Sequence, residues 1–294
     1  MTSPPPSPAL RSPLPSPPPR RSPAIAFTLA IALLVIFCLA PVLWQLITSI
    51  KVNADIETIP NIYWPSRQTL SHYAELFVRR PFFNYLFNSG FVAIASTALC
   101  LAIGTPAAYS LARQPIPGRS LILGLILIVT LFPYILLFLG LLELARAFGL
   151  GNNYLALIVP YTAINLPLTI LVMRSFFQQL PRDLEDAAQM DGYSTGQMLL
   201  NILLPLTLPA LVTTGILTFI FSWNEFLFAL TFMTEESLKT IPVATAQLSG
   251  ASQFETPYGP LAAATVVGTI PLVMLVLFFQ RKIVQGLTAG AVKG

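Results

Sequence analysis

Acidic side chains are scarce in this chain, twelve in 294 residues, and a third of them fall in one stretch: Asp183, Glu185, Asp186 and Asp191 lie between Arg174 and Asn201. Carboxylates are the raw material of acid–base catalysis, which also needs a base or nucleophile held beside them. The single histidine, His72, stands in a distant polar connection, so no catalytic constellation is encoded and no catalytic residue is assigned. Cys38 and Cys100 lie within apolar runs without metal-ligand spacing and read as small hydrophobes, leaving no metal site. No Gly-x4-Gly-Lys-Ser/Thr phosphate cradle occurs, so the chain cannot hydrolyse ATP by itself. A second polar group, Trp223-Asn224-Glu225, interrupts an apolar run with an aromatic face, an amide and a carboxylate.

The elements that must position these residues follow from composition. The chain is 55% hydrophobic and 10% charged, against about 25% charged in soluble domains, which places it in a bilayer. Six apolar runs are long enough to cross one: Ala24 to Ile50, Tyr85 to Ala112, Leu121 to Leu142, Tyr154 to Met173, Leu206 to Phe232, and Pro260 to Gln280. The fold class is therefore an all-α membrane protein with six transmembrane helices, kinked where Pro41, Pro106, Pro133, Pro160, Pro167, Pro209 and Pro271 fall inside the runs. Residues 1–23, rich in Pro and Ser, form a disordered basic tail, and residues 24–294 form the membrane domain. The net charge of +4 comes mainly from residues at the ends of apolar runs, which membrane topology demands, so nucleic acid is not a partner.

Orientation follows from those basic residues. With the N-terminus inside, ten face inward (Arg11, Arg20, Arg21, Arg113, Arg119, Arg174, Arg182, Arg281, Lys282, Lys293) and six outward (Lys51, Arg67, Arg79, Arg80, Arg146, Lys239). The bias favours both termini inside, although four of the six outward charges crowd the first outer loop. Two outer connections are long: Lys51 to Asn84, with Tyr63 and Trp64 suited to a membrane interface, and Met233 to Gly259, polar and a natural docking surface.

Between the fourth and fifth runs the acidic stretch predicts a helix, a turn and a second helix. Pro181 suits a first helical turn, and the acids after it complement the positive helix terminus. Ala187 and Ala188 leave a small-residue face, and Gly192 can take the left-handed conformation that ends a helix. Ser194 and Gln197 have capping-box spacing. These residues alone fit either a simple connection or a docking element.

Asp186-Ala187-Ala188, then three residues, Gly192, then nine residues and Ile202-x-Leu204-Pro205 resembles the EAA loop of binding-protein-dependent ABC importer permeases. The departure is Asp186 where that family usually has Glu, with Glu185 preceding it. Ser222-Trp223-Asn224-Glu225-Phe226 and the ending Gly286 to Gly294 resemble the carbohydrate, maltose-permease branch. The resemblance implies that Glu185, Asp186, Ala187, Ala188, Asp191 and Gly192 couple to an ATPase and that this loop is cytoplasmic. It implies a multi-pass protein of a prokaryotic plasma (inner) membrane that works with a second homologous permease in a heterodimer, two ABC ATPase subunits that bind ATP and Mg, and an extracytoplasmic solute-binding protein. The cargo would be a sugar, with membrane lipid around the helices and no cofactor in this chain.

Trp223, Asn224 and Glu225 supply the three chemistries that hold sugars, and a charge facing lipid would cost at least about 2.5 kcal/mol, so Glu225 must face a helix or a wet cavity. Lining the pathway, Glu225 snorkelling to the outer interface, and Asn224 bonding across helices all fit. Ser249, Gly250, Ala251, Ser252 and Gln253 are the expected contact with the binding protein. An ion-coupled secondary transporter is the alternative, and it would need an intramembrane acid relay for which only Glu225 and Glu143 are available.

Overall fold

Small side chains decide how the helices of this chain meet. A Cβ added at Gly104 would sit 2.6 Å from Thr169 Cγ2, so two helices touch there through backbone and a methyl group. Close approach at small residues is how membrane helices associate, because lipid leaves no hydrophobic drive between them. The computed structural model describes residues 21–249 and 257–291, so residues 1–20 of the expected tail lie outside the described residues.

The chain divides into two units, 1–44 and 45–294. The described part of the first belongs to α1 (Arg21–Ser49), whose side chains from Ile25 to Trp44 are exposed and apolar on every side. A helix apolar all round suits lipid or other helices rather than water.

In the second unit, α2 (Phe82–Arg113) and α5 (Leu155–Gln179) pack along their length in the same direction. Tyr154 meets Phe91 at one end, and Phe177 meets Tyr109 at the other. Between them the chain returns through α3 (Arg119–Leu131) and α4 (Phe138–Ala147). Then come α6 (Asp183–Met190), α7 (Thr195–Leu206) and α8 (Leu208–Asn224), followed by α9 (Leu227–Phe232), α10 (Ile241–Ser249) and α11 (Tyr258–Ala291). Polar contacts bind the bundle where α2 meets α8 and α5: Ser96 Oγ donates to Ser222 Oγ at 3.0 Å, and Cys100 Sγ lies 3.2 Å from Thr169 Oγ1. Cys100 is thus the small buried residue its surroundings predicted.

Among the described residues four helices are singly long and apolar enough to cross a membrane, and six spans result if two bent pairs count as one each. Those pairs carry the expected kinks at two of the seven prolines. The third run bends by 89° where Phe132 and Pro133 leave helical geometry, and α7 meets α8 at 83° around Thr207, with Pro209 in the first turn of α8. Pro41, Pro106, Pro160, Pro167 and Pro271 instead lie within unbroken helices. The fifth run is broken again at Glu225, which is extended (φ −66°, ψ 130°).

Candidate functional site

At the end of the bundle where α2 and α5 finish, the predicted helix, turn and helix are present. Three acids, Asp183, Glu185 and Asp186, occupy the first turn of α6. Gly192 closes the helix with φ 82°: its N–H donates to Gln189 O, and the Tyr193 N–H donates to Ala188 O, both at 3.0 Å. This is a complete Schellman turn, which favours glycine because other residues pay a steric penalty there. Ser194 then caps α7: its Oγ accepts from the Gln197 N–H at 3.4 Å, and Gln197 Oε1 accepts from the Ser194 N–H at 3.0 Å.

The structure divides the six expected coupling residues into two sets. Glu185 and Ala188 turn inward, so the small-residue face expected of Ala187 and Ala188 together is not a single surface. Glu185 Oε1 lies 2.8 Å from Arg113 Nε, its other oxygen accepts from Tyr109 OH at 3.2 Å, and the paired side chains are only 9% and 12% exposed. Arg113 also donates to the Leu180 carbonyl. Ala188 is 2% exposed and packs in a cluster with Met173, Phe177, Met198 and Leu203. Asp186, Ala187, Asp191 and Gly192 face outward together with Met190, which is 90% exposed. Sequence reasoning missed Arg113 and Tyr109, which stand more than 70 residues from Glu185, and Met190, whose exposure among the acids was a visible signal.

Of the readings set out for the second group, the structure shows Glu225 facing a neighbouring helix. Glu225 is 6% exposed and is turned toward Tyr161 of α5 rather than snorkelling to the interface. Its carboxylate accepts from the N–H groups of Phe228 (3.0 Å) and Ala229 (3.2 Å) and from Tyr161 OH. The carboxylate therefore caps α9, satisfying N–H groups that a helix start leaves orphaned. Trp223 is buried, stacks on Phe219 and donates from Nε1 to Gly268 O at 3.2 Å, tying α8 to α11. Asn224 does not bond across helices: its amide donates to Ile220 O of its own helix at 2.8 Å, and it alone of the three is exposed. Glu143, the other acid weighed for an ion relay, is exposed on α4, whereas Glu225 is buried.

At the opposite end, the long polar connection after Met233 is anchored to the bundle. Asn152 Oδ1 accepts from the N–H groups of Thr234 (2.8 Å) and Glu235 (3.0 Å). Asn88 Nδ2 donates to Ser237 O and Lys239 O, both at 2.9 Å. Glu236 accepts from Tyr85 OH and pairs with Lys239; the Lys239 and Tyr85 bonds hold its carboxyl below the ordinary value. Ile241, Val243, Ala244 and Leu248 then bury one side of α10. Of the expected binding-protein contact, Ser249 ends α10, and Gly250, Ala251, Ser252 and Gln253 lie outside the described residues. Among the described residues no group of three or more His, Cys, Asp or Glu could hold a metal ion.

Comparison with known proteins agrees with this arrangement. Residues 101–289 match the family described as binding-protein-dependent transport system inner membrane component. The chain is 42% identical to the sulfoquinovosyl glycerol transport system permease protein SmoH of Agrobacterium fabrum, covering 90% of this chain and 93% of that one. It is 42% identical to the trehalose transport system permease protein SugB of Mycobacterium tuberculosis (89% and 95%) and 40% identical to the trehalose/maltose transport system permease protein MalG of Thermococcus litoralis (89% and 94%). In fold it resembles a chain from the crystal structure of a bacterial ABC transporter involved in the import of the acidic polysaccharide alginate, with TM-score 0.76, 24% identity, and coverage of 90% of this chain and 99% of that one. A capped helical loop of the expected spacing, an all-helical bundle with four to six apolar spans, and relatives matched over nine-tenths of its length have one reading: the chain belongs to the family of binding-protein-dependent transport system inner membrane components.

Proposed function

We propose that this chain is the permease subunit of an ATP-binding-cassette importer that admits a sugar or sugar-like solute, driven by separate ATPase subunits and performing no chemistry itself. The observation that carries the proposal is the α6 element: a helix closed by a Schellman turn, held to its own bundle by Glu185 and Ala188, and presenting Asp186, Ala187, Met190, Asp191 and Gly192 outward. An exposed ion pair supplies only about 0–1 kcal/mol, whereas swinging a two-state equilibrium takes about 5.5 kcal/mol, so the ATPase must dock here by packing. A protruding methionine beside a small residue suits that.

On this reading the α6 end is cytoplasmic, as are both termini, in a prokaryotic inner membrane. Two ATPase subunits bind ATP and Mg, a second permease completes the pathway, and a solute-binding protein docks at the opposite end, where Ser249–Gln253 would meet it. Asn224, exposed beside the break at Glu225, remains the member of its triplet placed to touch a passing solute. The sugar assignment is supported by the cargoes named for three relatives at 40–42% identity.

The test is reconstitution of the whole assembly in proteoliposomes, with trehalose, maltose and sulfoquinovosyl glycerol as trial solutes. Uptake should require enclosed ATP and added binding protein. Uptake driven by a proton or sodium gradient without ATP would overturn the proposal.

A further inference from the structure

Besides the exposed Arg182 that precedes α6, three arginines gather at this end of the bundle, and only one of the three meets a carboxylate. Arg113 is paired with Glu185. Arg119, which opens α3, and Arg174, in the last turns of α5, converge instead on Gln178. The Gln178 amide is oriented with its oxygen toward them, since the opposite orientation would set its NH2 against two donors; the oxygen then accepts from Arg174 at 3.0 Å and from Arg119 at 3.2 Å. Arg174 Nε finds only the Leu111 carbonyl, at 3.3 Å. Among the described residues no carboxylate pairs with either guanidinium.

Two cations brought to one neutral oxygen repel each other, and a neutral amide cannot neutralise them. Both are half-buried, so water screens them incompletely. Each sits where an apolar helix ends, which is the depth of lipid headgroups. From Arg119 the surface of α3 continues through Ile122, Leu125 and Val129, all exposed and placed by their spacing on one side of the helix. A planar guanidinium pair matches phosphate oxygens in geometry as well as charge. We propose that Arg119, Arg174 and Gln178 form a site for the phosphodiester headgroup of an anionic phospholipid, whose acyl chains lie along the exposed face of α3. The ligand would neutralise the pair and fix the start of α3 against the end of α5.

The test is native mass spectrometry of the full chain released from nanodiscs of mixed phosphatidylglycerol and phosphatidylcholine. Wild type should retain phosphatidylglycerol in preference to phosphatidylcholine. Arg119→Gln and Arg174→Gln should each lower that retention about fivefold, the factor for roughly 1 kcal/mol per basic residue at a membrane surface. Arg146→Gln, which removes equal charge from α4, should leave it unchanged, and the paired Arg→Lys variants should restore only the part that depends on charge while reporting that the fold survives. Equal retention in wild type and the Arg119→Gln/Arg174→Gln double variant would overturn the proposal. Displacement of phosphatidylglycerol by low-millimolar inorganic phosphate would overturn the lipid as source. Release of the ATPase subunits from the assembled transporter by Arg119→Gln, with lipid retention unchanged, would make this a protein contact instead.

Discussion

Replacing Glu225 separates a helix cap from a residue that touches cargo. Glu225→Ala strips the acceptor from Phe228 N–H, Ala229 N–H and Tyr161 OH at a site 6% exposed. Each buried donor left unmade costs about 1–3 kcal/mol, so the loss is roughly 3–9 kcal/mol against a typical total stability of about 5–15. At about 2–4 °C per kcal/mol, the melting temperature of the purified chain in detergent should fall by on the order of 10 °C or more. Glu225→Gln keeps one acceptor oxygen and Tyr161→Phe removes one donor, so each should cost about 1–2 kcal/mol and a few degrees. Asn224→Ala removes an exposed bond to its own helix and should shift melting by about 0.5 kcal/mol or less. The measurement is thermal unfolding followed by size-exclusion chromatography, alongside solute uptake. A Glu225→Ala protein that melts like wild type yet no longer transports would refute the capping argument and return Glu225 to the pathway.

Three further outcomes are expected. Gly192→Val should release or uncouple the ATPase in co-purification while Gly192→Asn does not; no atom lies within 4 Å of the added Cβ, so the penalty is backbone strain at φ 82°, about 1–2 kcal/mol and larger for a β-branched residue. Gly259→Ala should destabilise the fold by about 1–3 kcal/mol, because its Cβ would lie 2.3 Å from the ring of His72, which is buried and tethered to Lys51 O; adding His72→Ala should recover part of the lost folded yield. Glu236, held below its ordinary carboxyl value of 4.5 by Lys239 and Tyr85, stabilises the fold above that value and loses the effect as pH falls through its depressed one. The difference in melting temperature between wild type and Glu236→Gln should therefore be present at pH 6 and shrink below pH 4.5, and a constant difference would count against the latch.

What could be read ahead was local. The turn at Gly192 and the capping box at Ser194 are written in residues three or four apart, and both are present as expected. The spans were legible from apolar length and the kink at Pro133 from the proline itself, but not its 89° size, since Pro41, Pro106, Pro160, Pro167 and Pro271 sit inside unbroken helices. The role of Glu225 depends on Tyr161, 64 residues away, although the donors at its third and fourth following residues were a readable capping signal. Tertiary pairing likewise decided Glu185, which resembled its exposed neighbours until Arg113 was placed beside it. The anchoring of the connection after Met233 was legible only in part: Ile241, Ala244 and Leu248 stand at helical intervals, whereas Asn88 and Asn152, which hold it, are 149 and 82 residues from their partners.

The inward grip on α6 has a mechanical side. Glu185 and Ala188 lock this short helix to α2 and to the cluster beneath it, so a push on its outer face cannot be absorbed by the loop sliding over the bundle. If an ATPase docks there as proposed, the load would pass through Arg113 into the foot of α2, a helix of 32 residues and roughly 48 Å. Tilting such a rod by about 5° sweeps its far end through roughly 4 Å. That far end carries Tyr85, Asn88 and Ser89, the residues that grip the segment after Met233. On the proposed coupling, a stroke at the α6 face would therefore be felt at the residues holding the opposite rim through this one helix.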